Sequence, residues 1–402
     1  MSAELNWGES TRCVHGVPAE LVRTGPLVPP IVQSTTYAWA DLNEPPAISY
    51  TRAGNETVAA LEARLTALER GAAAVCFGSG IAGIDALLRS IPSGGRVVAG
   101  RHLYGGTTRL LERFHADRLQ IDSVDSTDVG AVAAALETPA NLVLAETPSN
   151  PTLEITDIRR TARLAHDAGA ILAVDNTLLT PLYQRPLEQG ADVAIHSTTK
   201  YIDGHDATLG GAVVLPARHA AGTDSTVRSL EGRLRWIRKA TGAVLAPMEA
   251  WLTLQGCKTL HLRTTVQWEA ARRIADTARS HPAVARTLHP GLAGHPGHSV
   301  HRGQACGDGG LVGVDLGSQA AARAFVARLR LFQIAENLGP TESIATHPAS
   351  MTHADLPRQR RLEHGITDGL VRLSVGVETP DDLVYDLKAA LDQLEISLAV
   401  VA

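Results

Sequence analysis

The chain has 402 residues, 44% hydrophobic and 20% charged, enough for a large core and more readily two domains than one. A formal net charge of −5 offers no basic field for nucleic acid, and no apolar run is long enough to span a bilayer. The opening residues, which include Glu4 and Glu9, lack a signal-peptide pattern, and Cys13, Cys76, Cys257 and Cys306 make neither a CxxC pair nor a disulfide framework, so a cytoplasmic location is expected.

Residues 1–49 carry Pro26, Pro29, Pro30, Pro45 and Pro46 and read as an extended arm with little regular structure, suited to lying on another surface. From residue 50 to about 245, short apolar runs at 72–77, 96–99, 142–145, 171–174 and 193–195 predict buried strands. Helical spacing at 57–69, 83–90 and 157–168 alternates with them. This alternation predicts an α/β domain with a large, mostly parallel sheet. Residues 246–402 predict a smaller α+β domain, with helices at 247–263, 266–280 and 320–328 and strands at 311–316 and 370–375.

Two sites compete on this frame. Gly78-Ser79-Gly80-Ile81-Ala82-Gly83 fits G-x-G-x-x-G between a strand and a helix, and Arg101 could grip a 2′-phosphate, so a dinucleotide site is one reading. The other rests on Asp175-Asn176-Thr177, after one predicted strand, and His196-Ser197-Thr198-Thr199-Lys200-Tyr201, at the end of the next. Ligands gather at the carboxyl ends of parallel strands, so both segments can face one crevice. A lysine for a Schiff base, hydroxyls for a phosphate and a carboxylate for a pyridine nitrogen are the minimum for holding pyridoxal 5′-phosphate (PLP). The first reading would leave Asp175 and Lys200 without a purpose, while the glycine turn serves either, because N–H groups at a helix N-terminus bind phosphate. His289, His295, His298 and His301 invite a metal reading. They fall in a Gly/Pro-rich segment without a carboxylate or cysteine at fixed spacing, so a solvated loop and no metal are expected.

Further segments extend the match: Tyr50-Thr-Arg-Ala-Gly-Asn55, His102-Leu-Tyr-Gly-Gly-Thr107, Glu146-Thr-Pro-Ser-Asn-Pro151, His347-Pro-Ala-Ser-Met-Thr-His353 and Val371-Arg-Leu-Ser-Val-Gly376. In this order, from residue 50 to the C-terminus, they resemble the Cys/Met-metabolism family of PLP-dependent enzymes, of cystathionine γ-synthase and cystathionine γ-lyase type. The resemblance implies the aspartate-aminotransferase-like fold (fold type I) and a homotetramer whose active sites are shared across a dimer interface. It implies that Lys200 carries the cofactor and shuttles protons, that Asp175 pairs with the ring nitrogen, and that Ser197, Thr199 and the N–H groups of Gly80 and Ile81 hold the phosphate. Tyr104 would stack on the ring and exchange protons, and Tyr50 and Arg52 would reach the phosphate of a neighbouring subunit. Asn150, Glu336, Asn337 and Arg372 would face the amino-acid substrate, with Arg372 binding its α-carboxylate.

The activity so implied is γ-elimination or γ-replacement on a C4-activated amino acid, a carbon–sulfur lyase or transferase reaction of transsulfuration. Gly106 and Glu336 favour γ-chemistry, and β-elimination of cystathionine is the alternative. Several positions depart from the family pattern: Asn337 where serine is usual, Pro340 and Thr341 beyond it, Gln255 for an arginine, Cys257 for a leucine, and Glu56 for a proline. Asn337 is therefore expected to reshape the carboxylate side of the pocket, which admits a specialised γ-lyase acting on another leaving group such as a halide.

Overall fold

The computed structural model describes residues 7–16, 26–220 and 229–401. Its larger sheet contains β1 (Ala73–Phe77), β2 (Arg96–Gly100), β3 (Gln120–Val124), β4 (Leu142–Glu146), β5 (Ile171–Asp175), β6 (Val193–Ser197) and β7 (Gly211–Leu215), in the order β1-β7-β6-β5-β4-β2-β3. All pairings are parallel except the two made by β7. Every residue of β1, β4 and β7 is buried, as strands covered on both faces require. β3 and β7 add to the five strands expected from the sequence. β3 is an edge strand whose Gln120 and Ser123 are exposed, so it carries no apolar run.

The smaller sheet contains β8 (Arg286–Leu288), β9 (Leu311–Asp315), β10 (Gln333–Ile334), β11 (Ile344–Thr346) and β12 (Leu370–Ser374), in the order β10-β11-β12-β9-β8. The helices Pro247–Arg279 and Pro380–Val401 pack on it. Ala271, Ile274 and Ala278 of the first and Leu383, Leu387 and Leu391 of the second share a core with Val312, Val314 and Leu373.

The two helices expected at 247–263 and 266–280 are one element of 33 residues. The β-branched pair Thr264–Thr265 lies within it, the two hydroxyls donating back to the carbonyls of Leu260 and His261 one turn earlier. Its first half packs Leu254, Cys257 and Leu260 into the core beneath the large sheet, so one helix ties the two sheets together. The arm is also more ordered than expected. Residues Glu9–His15 form a helix that buries Cys13 against Leu61 and Leu65 of the helix Glu56–Glu69. Among the described residues no helix is long and apolar enough to cross a membrane.

Three of the four histidines, His289, His295 and His301, are buried rather than solvated, and His298 is half-buried. His289 and His301 are fully enclosed, and His301 lies 3.2 Å from a carboxylate oxygen of Asp308. Burial lowers the pKa of His289 and of His295 to about 4, so both are neutral near pH 7. No group of three or more His, Cys, Asp or Glu side chains among the described residues could hold a metal.

Candidate active site

Asp175 ends β5 and Ser197 ends β6, and because these strands are parallel both residues emerge at the same edge of the sheet. β7 is antiparallel to both neighbours, so β1 runs with β6 and delivers the helix Gly80–Arg89 to that edge. Loops 336–341 and 347–357 and strand β12 close over it. A cavity of about 490 Å³ lies between, lined by Gly80, Ile81, Tyr104, Asn150, Asp175, Ser197, Thr199, Lys200, Glu336 and Arg372.

The strand-end side fits PLP. Ser79 caps the helix and accepts from Ala82 N–H at 3.2 Å, which leaves the N–H groups of Gly80 and Ile81 without a partner inside the helix. A Cβ on Gly80 would lie 3.0 Å from Ser197 Cβ, and one on Gly211 only 2.4 Å from Gly80 N, so this turn presents bare backbone. The Thr199 hydroxyl lines the same cradle while bonded to Gly210, accepting from its N–H at 3.0 Å and donating to its carbonyl at 3.2 Å.

Thr177 donates its N–H to Asp175 Oδ1 at 3.0 Å and its hydroxyl to the same oxygen, and no hydrogen bond among the described residues reaches Oδ2. β4 ends level with β5, which sets Glu146 beside Asp175. Burial raises both carboxyls, and the Asp175 charge raises Glu146 further. Two carboxylates at paired strand ends, one buried and one half-buried, call for a positive partner, which a protonated pyridine nitrogen would supply.

Lys200 follows β6 at the floor of the cavity. Burial, with the Arg372 charge adding to it and Asp206 opposing, lowers its pKa to about 8, so a useful fraction is neutral amine at physiological pH. Its Nζ donates to Asn337 Oδ1, and Asn337 Nδ2 donates to Asp206. Arg372 on β12 is 1% exposed. It donates Nη1–H to Asn150 Oδ1 at 2.7 Å, and Nη2–H to the Asn337 carbonyl at 2.7 Å and to Thr346 Oγ1 at 2.9 Å. Its buried Nε has no partner, and no carboxylate among the described residues pairs with it. A buried cation without a counter-ion is a place for an anionic ligand.

The sequence-predicted residues thus converge, with three departures. Tyr50 and Arg52 do not line this cavity. Arg52 lies 5.4 Å over the Tyr50 ring and donates to the Lys239 carbonyl at 2.7 Å. The Asn337 side chain turns to Lys200 and Asp206, and only its carbonyl meets Arg372, so the expected reshaping of the carboxylate side does not come from the amide. Arg101 is paired with Asp125, not poised for a 2′-phosphate.

Sequence reasoning assigned no role to Glu146, which accepts from Tyr104 N–H at 2.6 Å and Asn150 N–H at 2.8 Å. A carboxylate ending each of two successive buried strands was the available signal. It also passed over Arg109 and Asp355, which line the outer cavity and pair at 2.8 Å.

The sequence matches the family described as Cys/Met metabolism PLP-dependent enzyme over residues 10–392. Cystathionine gamma-lyase of Bacillus subtilis (strain 168) is 41% identical over 388 residues, 96% of this chain and 100% of that protein. Cystathionine beta-lyase MetC of the same organism is 39% identical over 97% of each. The crystal structure of cystathionine gamma synthase from Xanthomonas oryzae pv. oryzae in complex with aminoacrylate and cysteine matches with a TM-score of 0.92 at 39% identity, over 98% of this chain and 100% of that one. Family match, α/β architecture and a cavity shaped for PLP agree, and the chain belongs to the Cys/Met-metabolism family of PLP-dependent enzymes, with fold type I and PLP as its cofactor.

Proposed function

We propose that the protein catalyses γ-elimination or γ-replacement on a C4-activated amino acid, as a cystathionine γ-lyase or γ-synthase does. The observation that carries the substrate class is the charge at the outer cavity, where the Arg109 guanidinium pairs with the carboxylate of Asp355. A site with both signs suits a substrate whose distal end is itself an amino acid, such as cystathionine.

PLP, when bound, supplies an electron sink for charge developing at Cα. Lys200 would hold it covalently, Asp175 would bind its ring nitrogen, and Ser197, Thr199, Gly80 and Ile81 its phosphate. Arg372, fixed by Asn150 and Thr346, binds the α-carboxylate and so orients Cα–H toward Lys200. As a free amine, Lys200 removes the Cα proton and, for reaction at Cγ, carries the Cβ proton as well. It is the only amine lining the cavity among the described residues. Tyr104 stands at the entrance, anchored by its N–H to Glu146. Its ring lies where a Cβ on residue 106 would come within 2.4 Å, so Gly106 sets its position.

Tyr50 and Arg52 serve the phosphate of a neighbouring subunit in a homotetramer of active dimers. This reading is supported by their exclusion from their own chain's cavity and by the exposure of Tyr50. A cytoplasmic location agrees with four cysteines that are all free.

β-elimination is the second reading, favoured by the 39% identity to a β-lyase. The two differ in proton traffic. In D2O an unreactive analogue such as norvaline exchanges hydrogen at both Cα and Cβ under the γ-reading. Exchange at Cα alone, followed by NMR, would favour the β-lyase.

A further inference from the structure

The Asn337 amide sits between two groups that leave it one orientation. A lysine ammonium can only donate and an ionised carboxylate can only accept. Asn337 therefore turns Oδ1 to Lys200 Nζ and Nδ2 to Asp206, as the two hydrogen bonds record. Asp206 is held at φ 52°, a left-handed conformation that Asp tolerates and most side chains do not. Asp206 and Asn337 are 131 residues apart in the chain, on loops that meet where Thr341 N–H donates to the Gly204 carbonyl at 3.0 Å.

Resting on the role proposed above for Lys200, we propose that Asp206 is a positioning residue that locks the Asn337 amide with its oxygen toward the Lys200 amine. The chemistry depends on that direction. A neutral amine has two N–H bonds and one lone pair. An acceptor at Asn337 takes an N–H and leaves the lone pair free for the cavity. The flipped amide would donate an N–H into the lone pair, occupying the electrons that Lys200 needs to attack an aldehyde or take a proton. Asp206 thus keeps the lysine nucleophilic without touching cofactor or substrate. Asn337 also accepts from Arg372 through its own carbonyl, so lysine and carboxylate site are set by one side chain and its backbone.

The test is the rate at which the full chain, stripped of PLP, recaptures it. Capture joins the Lys200 nitrogen to the aldehyde carbon and releases one water, and it is followed by the yellow absorbance of the product. Asp206→Gly deletes the side chain without straining the left-handed backbone. It should slow capture and kcat about tenfold, with little change in KM. In an Asn337→Ala background, where there is no amide to flip, the same deletion should cost nothing. An equal loss in both backgrounds would overturn the proposal. If Asp206→Gly fails to fold, Asp206→Asn keeps the conformation but no longer enforces the orientation. It should give an intermediate slowing, and wild-type capture by it would count against the idea. Lys200→Ala is the separate control: if that variant still captures PLP at the wild-type rate, the assignment of Lys200 fails rather than that of Asp206.

Discussion

The two walls of the cavity are built differently. On the strand-end wall each group is set by backbone: Asp175 and Ser197 end parallel strands, Lys200 sits in the turn after β6, and Gly80 opens a helix. On the opposite wall groups are set by one another. Arg372 is gripped by Asn150, Thr346 and the Asn337 carbonyl, Asn337 joins Lys200 to Asp206, and Arg109 joins Asp355. The first wall places a cofactor common to a family. The second can be retuned by single substitutions, and it is where the chain departs from the family pattern.

The largest effect expected from breaking this contrast is at Arg372. Arg372→Lys removes the fork that meets Asn150, Thr346 and the substrate carboxylate together. It should raise KM about 100-fold, from the loss of charge-assisted hydrogen bonds worth ~1.5–3 kcal/mol. Steady-state kinetics would check this, and an unchanged KM would remove Arg372 from the substrate site.

Gly211→Ala probes the backbone-built wall. The new Cβ would lie 2.4 Å from Gly80 N and from Ser79 C and O, which are backbone atoms that cannot swing aside. The cradle must shift, and PLP affinity should fall about tenfold, consistent with ~1–3 kcal/mol of overpacking. A spectroscopic PLP titration measures it, and wild-type affinity would mean that the cradle is softer than drawn.

Asp355→Asn should have the smallest effect. Arg109 and Asp355 are 39% and 42% exposed, so their ion pair contributes at most ~1 kcal/mol and the thermal midpoint should hold. Freeing Arg109 should lower KM for substrates with a distal carboxylate by up to about fivefold, leaving KM for uncharged ones alone. A uniform change across substrates would deny the outer cavity its part in selection.

The same contrast explains what could be read from the sequence. The strand ends carrying Asp175 and Lys200 announce themselves because a buried strand is an apolar run and the polar residue that stops it is conspicuous. The glycine turn at Gly80 is local for the same reason. Pairs such as Asn337–Asp206 and Arg109–Asp355 join residues 131 and 246 positions apart, and no periodicity encodes them. Asn337 stands out in the sequence as a departure, yet its direction, toward lysine rather than substrate, depends on Asp206. β3 escaped because an edge strand needs no apolar run, and the long helix Pro247–Arg279 looked like two because threonines interrupt its middle.

The most direct test of the central claim, chemistry at Cγ, is to incubate the PLP-loaded enzyme with cystathionine, O-succinyl-homoserine and O-acetyl-homoserine and to identify the keto acid released. The account predicts 2-oxobutyrate. Pyruvate from cystathionine, with no 2-oxobutyrate from any of the three, would contradict it and make the enzyme a β-lyase.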